Sequence, residues 1–466
     1  MLFTSCEYLL IFLPSVWLLF LALRFTVLRP VLLTISGYVF YAWGRPWISI
    51  LLFLSSTVDF LIGLSIDRAV AVRTRRALLT LSLIFNLGLL SIFKYGTWLL
   101  TGVNAGLAHF HFHNHIPVPD IILPPGISFY TFQSLAYIID IYRRKQHAHR
   151  RIWDYWSFVA FFPQLFAGPI ERAGQLLPQL THPRRKIHPR MIESGIFMIM
   201  WGVFKKLVVA DNLGELAQLC HDNKHMAGSG VVLVLAFTFQ IYADFSAYTD
   251  IARGSARLFG IKLRRNFLTP YFSQNPSEFW QRWHISLSSW IRDYLYVGLG
   301  GNRCGRARTI TNLLITMSLA GLWHGAGMFF ILWGLYHGLL LVMYHVWPLD
   351  KWLVRKWGQV GKATSAMVMF ALTVIGWRLF YHDADTQFAP SVLAPAVSLP
   401  ILLYGLALFA SPLILTDVLG YRKQREFVDL WGHLSGLTKT AVYLFIFYAT
   451  LMFGARDSHE FIYFRF

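Results

Sequence analysis

The chain has 466 residues, 56% of them hydrophobic and only 14% charged, with a formal net charge of +19. That composition excludes an ordinary soluble domain, because the apolar residues come in runs that match the roughly 20 residues a membrane-spanning helix needs. The positive charge gathers in short clusters between those runs, as cytoplasmic loops require, so it signals topology and not a nucleic-acid partner.

In chain order, spans are predicted at about 5–23, 28–44, 47–66, 77–101, 122–141, 191–211, 230–252, 309–322, 328–347, 364–381, 396–416 and 438–455. The first run begins almost at Met1, carries Glu7 and has no small-residue cleavage site, so it reads as a retained span. Cys6, Cys220 and Cys304 form neither a CxxC pair nor a disulfide framework. The expected fold is an all-α polytopic membrane protein, a single domain over 1–466, with about eleven to twelve transmembrane helices plus re-entrant or interfacial helices.

Charge sets the orientation. Arg24 and Arg29, then Arg68, Arg73, Arg75 and Arg76, then Arg143, Arg144, Lys145, Arg150 and Arg151, alternate with basic-poor loops near 45 and 102–121. This puts the N-terminus outside and each cluster in the cytoplasm. Arg184, Arg185, Lys186 and Arg190 then follow after one hydrophobic patch only, 155–170. Both clusters are cytoplasmic only if that patch does not cross, and its Pro163, Gly168 and Pro169 suit a re-entrant segment whose irregular backbone is buried in protein. The same logic applies to 275–301, which lies between Lys262, Arg264, Arg265 and Arg303, Arg306, Arg308. It reads as an amphipathic segment dipping in from the cytoplasm. Lys351, Arg355 and Lys356, then Arg422, Lys423 and Arg425, complete the inside set, and His382, Asp383 and Asp385 fall outside.

Within NPSEFWQRWHISLSSWIRDYLYVGLGG, Asn275 is placed to cap a helix, with Pro276 in its first turn and Glu278 three residues on. Trp280, Trp283, His284, Leu287, Trp290, Ile291 and Tyr294 recur at helical spacing and predict one continuous aromatic face. Arg282, Ser286, Ser289, Arg292 and Asp293 lie largely off it. His324 follows in LAGLWHGAG. The run Thr309–Leu322 would cover only about 21 Å of a core about 30 Å thick. The helix is therefore expected to stop inside the membrane, with Gly321, Gly325 and Gly327 loosening the chain around His324.

An intramembrane ionisable residue points to function. Two neutral histidines, His324 and His284, could serve as general base and orienting group. The alternative for each is structural: a neutral imidazole bonded to a backbone carbonyl, or set in an aromatic face. His337 is secondary, because a continuous helix would turn it away from His324.

Asp244 and Asp250, with Ser246, Tyr248 and Thr249, should face the bundle interior or the cytoplasmic mouth. Their roles stand between a lattice holding the re-entrant segment and direct substrate contact. His109, His111, His113 and His115 alternate on the outer side, a possible zinc or copper surface with only Asp120 beside it; no metal is assigned. The basic clusters could also hold a polyanionic, phosphorylated donor.

The motifs EFWQRWHISLSSWIRDYLYVGLGGN and LAGLWHGAG, with FFPQLFAGPIER and YADFSAYTDIARGSARLFG, resemble the membrane-bound O-acyltransferase family. More narrowly they resemble its bacterial branch that acetylates exported polysaccharides such as alginate and cellulose. The likeness runs from FTSCEYLLIFLP and SGYVFYAWGRPW to the terminal FIYFRF, and that ending favours the polysaccharide branch. D-Alanyl transferases of teichoic acid share the RWHxSLS and WHG elements, so these motifs leave the acyl group open. Ala247 stands where the branch suggests glycine.

The resemblance implies a bacterial inner-membrane enzyme that takes acetyl from cytoplasmic acetyl-CoA through a central tunnel. No bound cofactor is implied, acetyl-CoA being the donor substrate. The acetyl would reach a periplasmic acceptor, in one form an SGNH-type acetyltransferase partner, within an exopolysaccharide synthesis and export complex. It implies His324 as the catalytic histidine and His284 as the second tunnel histidine. Arg282, Trp283, Ser288, Arg292, Trp323 and Asp244 are weaker candidates for substrate contact. Chain length and the compact C-terminal part lean towards cellulose over alginate. The alternatives are a transporter or channel for a polysaccharide precursor or proton, and the same fold moving D-alanine or a fatty chain.

Overall fold

The computed structural model of the chain describes its residues except 24, 112–115, 120, 167, 183–186, 224, 386–396, 456–460 and 463–466, and except the side chains of 382–385. Among the described residues every regular element is a helix. Among the described residues seven helices are long and apolar enough to cross a bilayer: Trp47–Arg68, Val72–His109, Ser229–Leu258, Met328–Val346, Leu349–Tyr381, Leu399–Lys423 and Gly436–Phe453. Glu7–Leu23 is a shorter apolar helix. Four further predicted spans fall on Arg29–Ala42, Ile127–Tyr142, Pro189–Phe204 and Arg306–His324. The chain is an all-α polytopic membrane protein. Helices satisfy their own backbone polar groups, which lipid cannot do.

Some sequence expectations fall on residues outside the description: Arg24, Arg184, Arg185, Lys186, His113, His115, Asp120, the end of the FIYFRF motif, and the side chains of His382, Asp383 and Asp385. Of the histidine cluster, His109 ends its helix and His111 has a left-handed backbone (φ 62°).

Two compact units are distinguished: Met1–His188 with Ser255–Arg264, and Pro189–Gly254 with Arg265–Phe466. In the first, the 155–170 patch forms no spanning helix. It is broken into Ile152–Val159 and Phe162–Leu165, and nearly all of it is buried. The side-chain amides of Gln133 and Gln164 both donate to the Phe158 carbonyl at 2.7 Å, satisfying a group that the break releases.

Arg29 and Arg75 are not free loop charges, as the charge pattern implied. Both are buried. Arg29 donates to the carbonyls of Gln179 and His182, each at 2.7 Å. Arg75 donates to those of Ile66, Ile141 and Tyr142. Each arginine thus covers carbonyls that helix ends leave unpaired.

In the second unit, Arg306–His324 and Met328–Val346 pack as an antiparallel hairpin. A Cβ on Gly321 would meet the Phe330 carbonyl oxygen, and one on Gly334 the Met317 carbonyl oxygen. Gly321 therefore permits close helix packing and does not loosen the chain. The first helix has 19 residues, more than the predicted run, and so reaches about 28 Å. Its length no longer argues for a stop halfway through the bilayer. It does end at His324, where Gly325 and Gly327 are extended (φ −164° and −165°). The Leu349–Asp385 helix is interrupted at Gly358 (φ 56°), so Lys351, Arg355 and Lys356 lie on a helix and not in a loop.

The Ser229–Leu258 helix carries a buried ionic lattice. Lys205 bonds Asp250 at 2.8 Å and Ser246 at 2.9 Å, while Lys206 bridges Asp211 at 2.7 Å and Asp244 at 3.0 Å. Asp244 also accepts the Ile462 N–H at 2.8 Å. Arg253 pairs with Glu426 at 2.8 Å. The lysines sit on a π-turn, Lys205–Ala210, a feature that periodicity does not announce. Ala247 is buried and its carbonyl faces Gly202, where a Cβ would come within 2.7 Å. The close approach at this point is permitted by Gly202.

Candidate active site

The helix after Asn275 starts as its residues dictate. The Asn275 side-chain oxygen accepts the Glu278 N–H at 2.8 Å, Pro276 occupies the first turn, and Glu278 accepts the Gln274 N–H at 2.7 Å. The continuous aromatic face does not follow. The helix ends at Arg282, Trp283 is extended, and His284 takes a left-handed backbone (φ 41°, ψ 54°). A short helix, Ile285–Trp290, and a π-turn, Ile291–Tyr296, follow.

The break has a tertiary cause, since a neighbouring segment offers its own bonds. Leu268 N–H donates to the Arg282 carbonyl at 3.0 Å, and the Asn266 carbonyl accepts the Ile285 N–H at 2.9 Å. The Asn266 side-chain oxygen accepts the Ser286 N–H at 3.3 Å, and its amide donates to Thr249 at 3.3 Å. These bonds offset the roughly 1–3 kcal/mol that a left-handed non-glycine residue costs.

His284 is completely buried. Its ring meets Phe245 edge-on at 4.6 Å and lies 6.1 Å from Trp323. Burial pushes its imidazole down to about 3, so the ring is neutral. His324 packs against Trp323 at 5.0 Å, Trp333 at 5.0 Å and Phe380 at 5.5 Å. Trp323 is thus a neighbour of both histidines. His337 also returns to this cluster, 4.9 Å from Trp333 and 5.2 Å from Trp280. The chain reverses after His324, so the continuous-helix argument that turned His337 away does not apply.

His324 lines a cavity of about 300 Å³. Leu313, Met317, Ala320 and His324 come from one helix face, and Ile285, Leu287, Ser288 and Arg292 from the broken segment. This cavity shares Ser277, Gln281, Tyr296, Leu313 and Leu341 with a second, of about 660 Å³, which adds Glu278, His345, Asp350 and Lys351. The pair therefore joins a charged vestibule to a largely apolar chamber with the His324 imidazole in its wall. An imidazole there can accept a proton from an incoming hydroxyl.

The candidates separate on geometry. Ser288 and Arg292 line the chamber; Ser288 also donates to the Trp283 carbonyl at 3.0 Å, and Arg292 bonds Asp293 at 2.8 Å. His284 and Trp323 are not among the chamber's lining residues. Arg282 pairs with Glu278 at 2.7 Å and Thr269 at 3.0 Å. Trp283 packs on Trp377 at 4.8 Å. Asp244 belongs to the ionic lattice. Asn266, Trp333 and Phe380 escaped the sequence reading. Nothing in a lone asparagine or phenylalanine marks it as a clamp on a turn or as the packing partner of a distant histidine.

Many apolar helices, and in the second unit a chamber with a histidine in its wall, suit a membrane acyl-transfer enzyme, and comparison with known proteins agrees. The model of MBOAT, the membrane-bound O-acyltransferase family, matches residues 35–376, which include His284 and His324. The chain belongs to this family and is an O-acyltransferase. The probable alginate O-acetylase of Pseudomonas aeruginosa is 41% identical over 387 residues, covering 82% of this chain and 72% of that protein. The peptidoglycan O-acetyltransferase of Helicobacter pylori is 32% identical over 431 residues, covering 86% and 80%. The teichoic acid D-alanyltransferase of Bacillus subtilis is 26% identical over 295 residues, covering 58% and 73%.

Proposed function

We propose that the chain moves acetyl from acetyl-CoA to an acceptor hydroxyl in the acetylation of an exported polysaccharide, at a bacterial inner membrane. The observation that carries this reading is His324 in the chamber wall, with the Lys351-bearing vestibule sharing lining residues with that chamber. The CoA phosphates would sit towards Lys351, and the thioester would reach His324. The likeness to alginate O-acetylases moves the proposed polymer from cellulose, towards which the sequence leaned, to an alginate-type chain. The acceptor hydroxyl belongs either to the polymer or to a periplasmic SGNH-type partner of the export complex.

The chemistry balances as follows. A neutral nitrogen of His324 takes the proton of the acceptor hydroxyl while its oxygen attacks the thioester carbonyl. The carbon–sulfur bond then breaks, the thiolate takes up the proton from His324, and free CoA thiol and the acetyl ester remain. His284 holds Trp323, and through it the seat of His324; Arg292 and Ser288 stand at the chamber wall.

The test is acetyl incorporation into the exported polymer by a His324→Ala strain whose protein level matches wild type. Incorporation should fall at least about a hundredfold. Undiminished acetylation would remove His324 from the reaction. Release of CoA thiol from acetyl-CoA by the full-length protein in vesicles tests the donor.

A further inference from the structure

Resting on that donor reading, we infer that the Thr316 hydroxyl, aided by the Trp280 indole N–H, is a positioning subsite for an amide of the donor's pantetheine arm. Thr316 lines the chamber and is 4% exposed, and its hydroxyl has no hydrogen-bond partner within the protein. The earlier threonines of its helix behave differently. Thr309 and Thr311 return their hydroxyls to the Gly305 and Ala307 carbonyls, at 2.9 and 3.1 Å. In the chamber wall, Ser288 and Ser289 donate to the Trp283 and Ser286 carbonyls, each at 3.0 Å. The indole N–H of Trp280, in the same wall, is a second buried group without a partner. Buried polar groups are normally bonded, so two open ones in one chamber call for a ligand that bonds them.

One helix supplies the direction and the scale. On Arg306–His324, Thr309 lines the vestibule, Leu313 lines both spaces, and Thr316, Met317, Ala320 and His324 line the chamber. The order therefore runs from vestibule to imidazole, with Thr316 on the way. At ~1.5 Å per residue, Thr316 lies about 12 Å from His324 along the axis and Leu313 about 16 Å. A pantetheine arm has matching spacing. With its thioester carbon at His324, its second amide is about eight bonds away, roughly 10 Å in an extended chain. Its nearest phosphate is about fourteen bonds away, roughly 17 Å. The amide thus falls at the level of Thr316, and the phosphates at the level where chamber and vestibule share Leu313.

The lining also selects the class of ligand. A sugar carries hydroxyls along its whole length, and Ile285, Leu287, Met317 and Ala320 would leave most of them unbonded. An arm of methylenes and two amides needs only a few separated hydrogen-bonding points. Its amide carbonyl accepts from the indole N–H, and a hydroxyl serves either end of an amide.

The experiment measures CoA binding to the full-length protein in lipid nanodiscs by calorimetry, which requires no acceptor. Thr316→Val keeps the side-chain shape without the hydroxyl and should weaken CoA binding by about three- to tenfold, as should Trp280→Phe. Thr316→Ser should bind within about twofold of wild type. ADP, which has the nucleotide end without the arm, should bind all four proteins alike. Unchanged CoA affinity in Thr316→Val would overturn the inference. So would Thr316→Ser as weak as Thr316→Val, or an equal weakening of ADP, because either marks a disturbed helix and not a lost bond. Loss of affinity for an alginate oligosaccharide in place of CoA would give the subsite to the acceptor and overturn it too. A wild type that binds no CoA strikes the donor reading itself, and this result is distinct because it appears without any variant.

Discussion

Asn266 holds the chain directly after His284, its carbonyl accepting the Ile285 N–H at 2.9 Å and its side-chain oxygen the Ser286 N–H at 3.3 Å. The left-handed turn that carries His284 into the core is therefore built by a segment distant from it in sequence order. Replacing Asn266 by Ala leaves the buried Ser286 N–H without this acceptor and should cost about 1–3 kcal/mol. Asn266→Asp keeps the acceptor and should recover part of the loss. Thermal unfolding midpoints, read beside acyl-transfer rates, check this order.

His284 separates backbone from side chain. Glycine accepts its φ of 41° without strain, whereas alanine does not. His284→Gly should therefore be at least as stable as His284→Ala, by up to about 1 kcal/mol. Both should lose transfer activity if the imidazole supports Trp323. Wild-type activity in the glycine variant would assign this histidine to the backbone turn alone.

The same residue predicts a pH dependence. Its folded pKa, about 3, lies below the ordinary value of 6.5, so between these values the unfolded chain binds the extra proton. The contribution of His284 is whole above about 6.5 and declines as the pH falls towards 3. His284→Gln should show a shallower fall of unfolding midpoint from pH 7 to pH 4 than wild type. Parallel curves would contradict it.

Lys206 is the counter-ion of two buried carboxylates, Asp211 and Asp244. Lys206→Met strands both and should cost about 3–5 kcal/mol. The Lys439–Glu193 pair, at 2.7 Å but with Glu193 44% exposed, should lose less than about 1 kcal/mol when cut. Denaturation of the two variants under one set of conditions makes the comparison.

Gly334 lies where the hairpin helices touch backbone to backbone. Gly334→Val should destabilise by about 1–3 kcal/mol and lower transfer, because it pushes away the helix that ends at His324. Gly88→Ala, with nothing within 4 Å, should be neutral or slightly stabilising. Equal effects at the two glycines would exclude a special closeness at Gly334.

The sequence by itself determined the membrane class, the helical fold, the non-spanning character of 155–170 and 275–301, and the pair of histidines that stand out. These are properties of composition, run length and charge placement, each readable one residue at a time. It also carried the family, because the motifs around His284 and His324 are contiguous. Only the tertiary structure decided that the aromatic helix breaks at His284, since the bonds that break it come from Asn266 and Leu268. Only the tertiary structure placed Trp323 beside both histidines, turned Arg29 and Arg75 into carbonyl caps, gave Asp244 to Lys206, and set Trp333 and Phe380 against His324. Each of these depends on which distant side chain arrives at a given point, and periodicity along one segment holds no information about that.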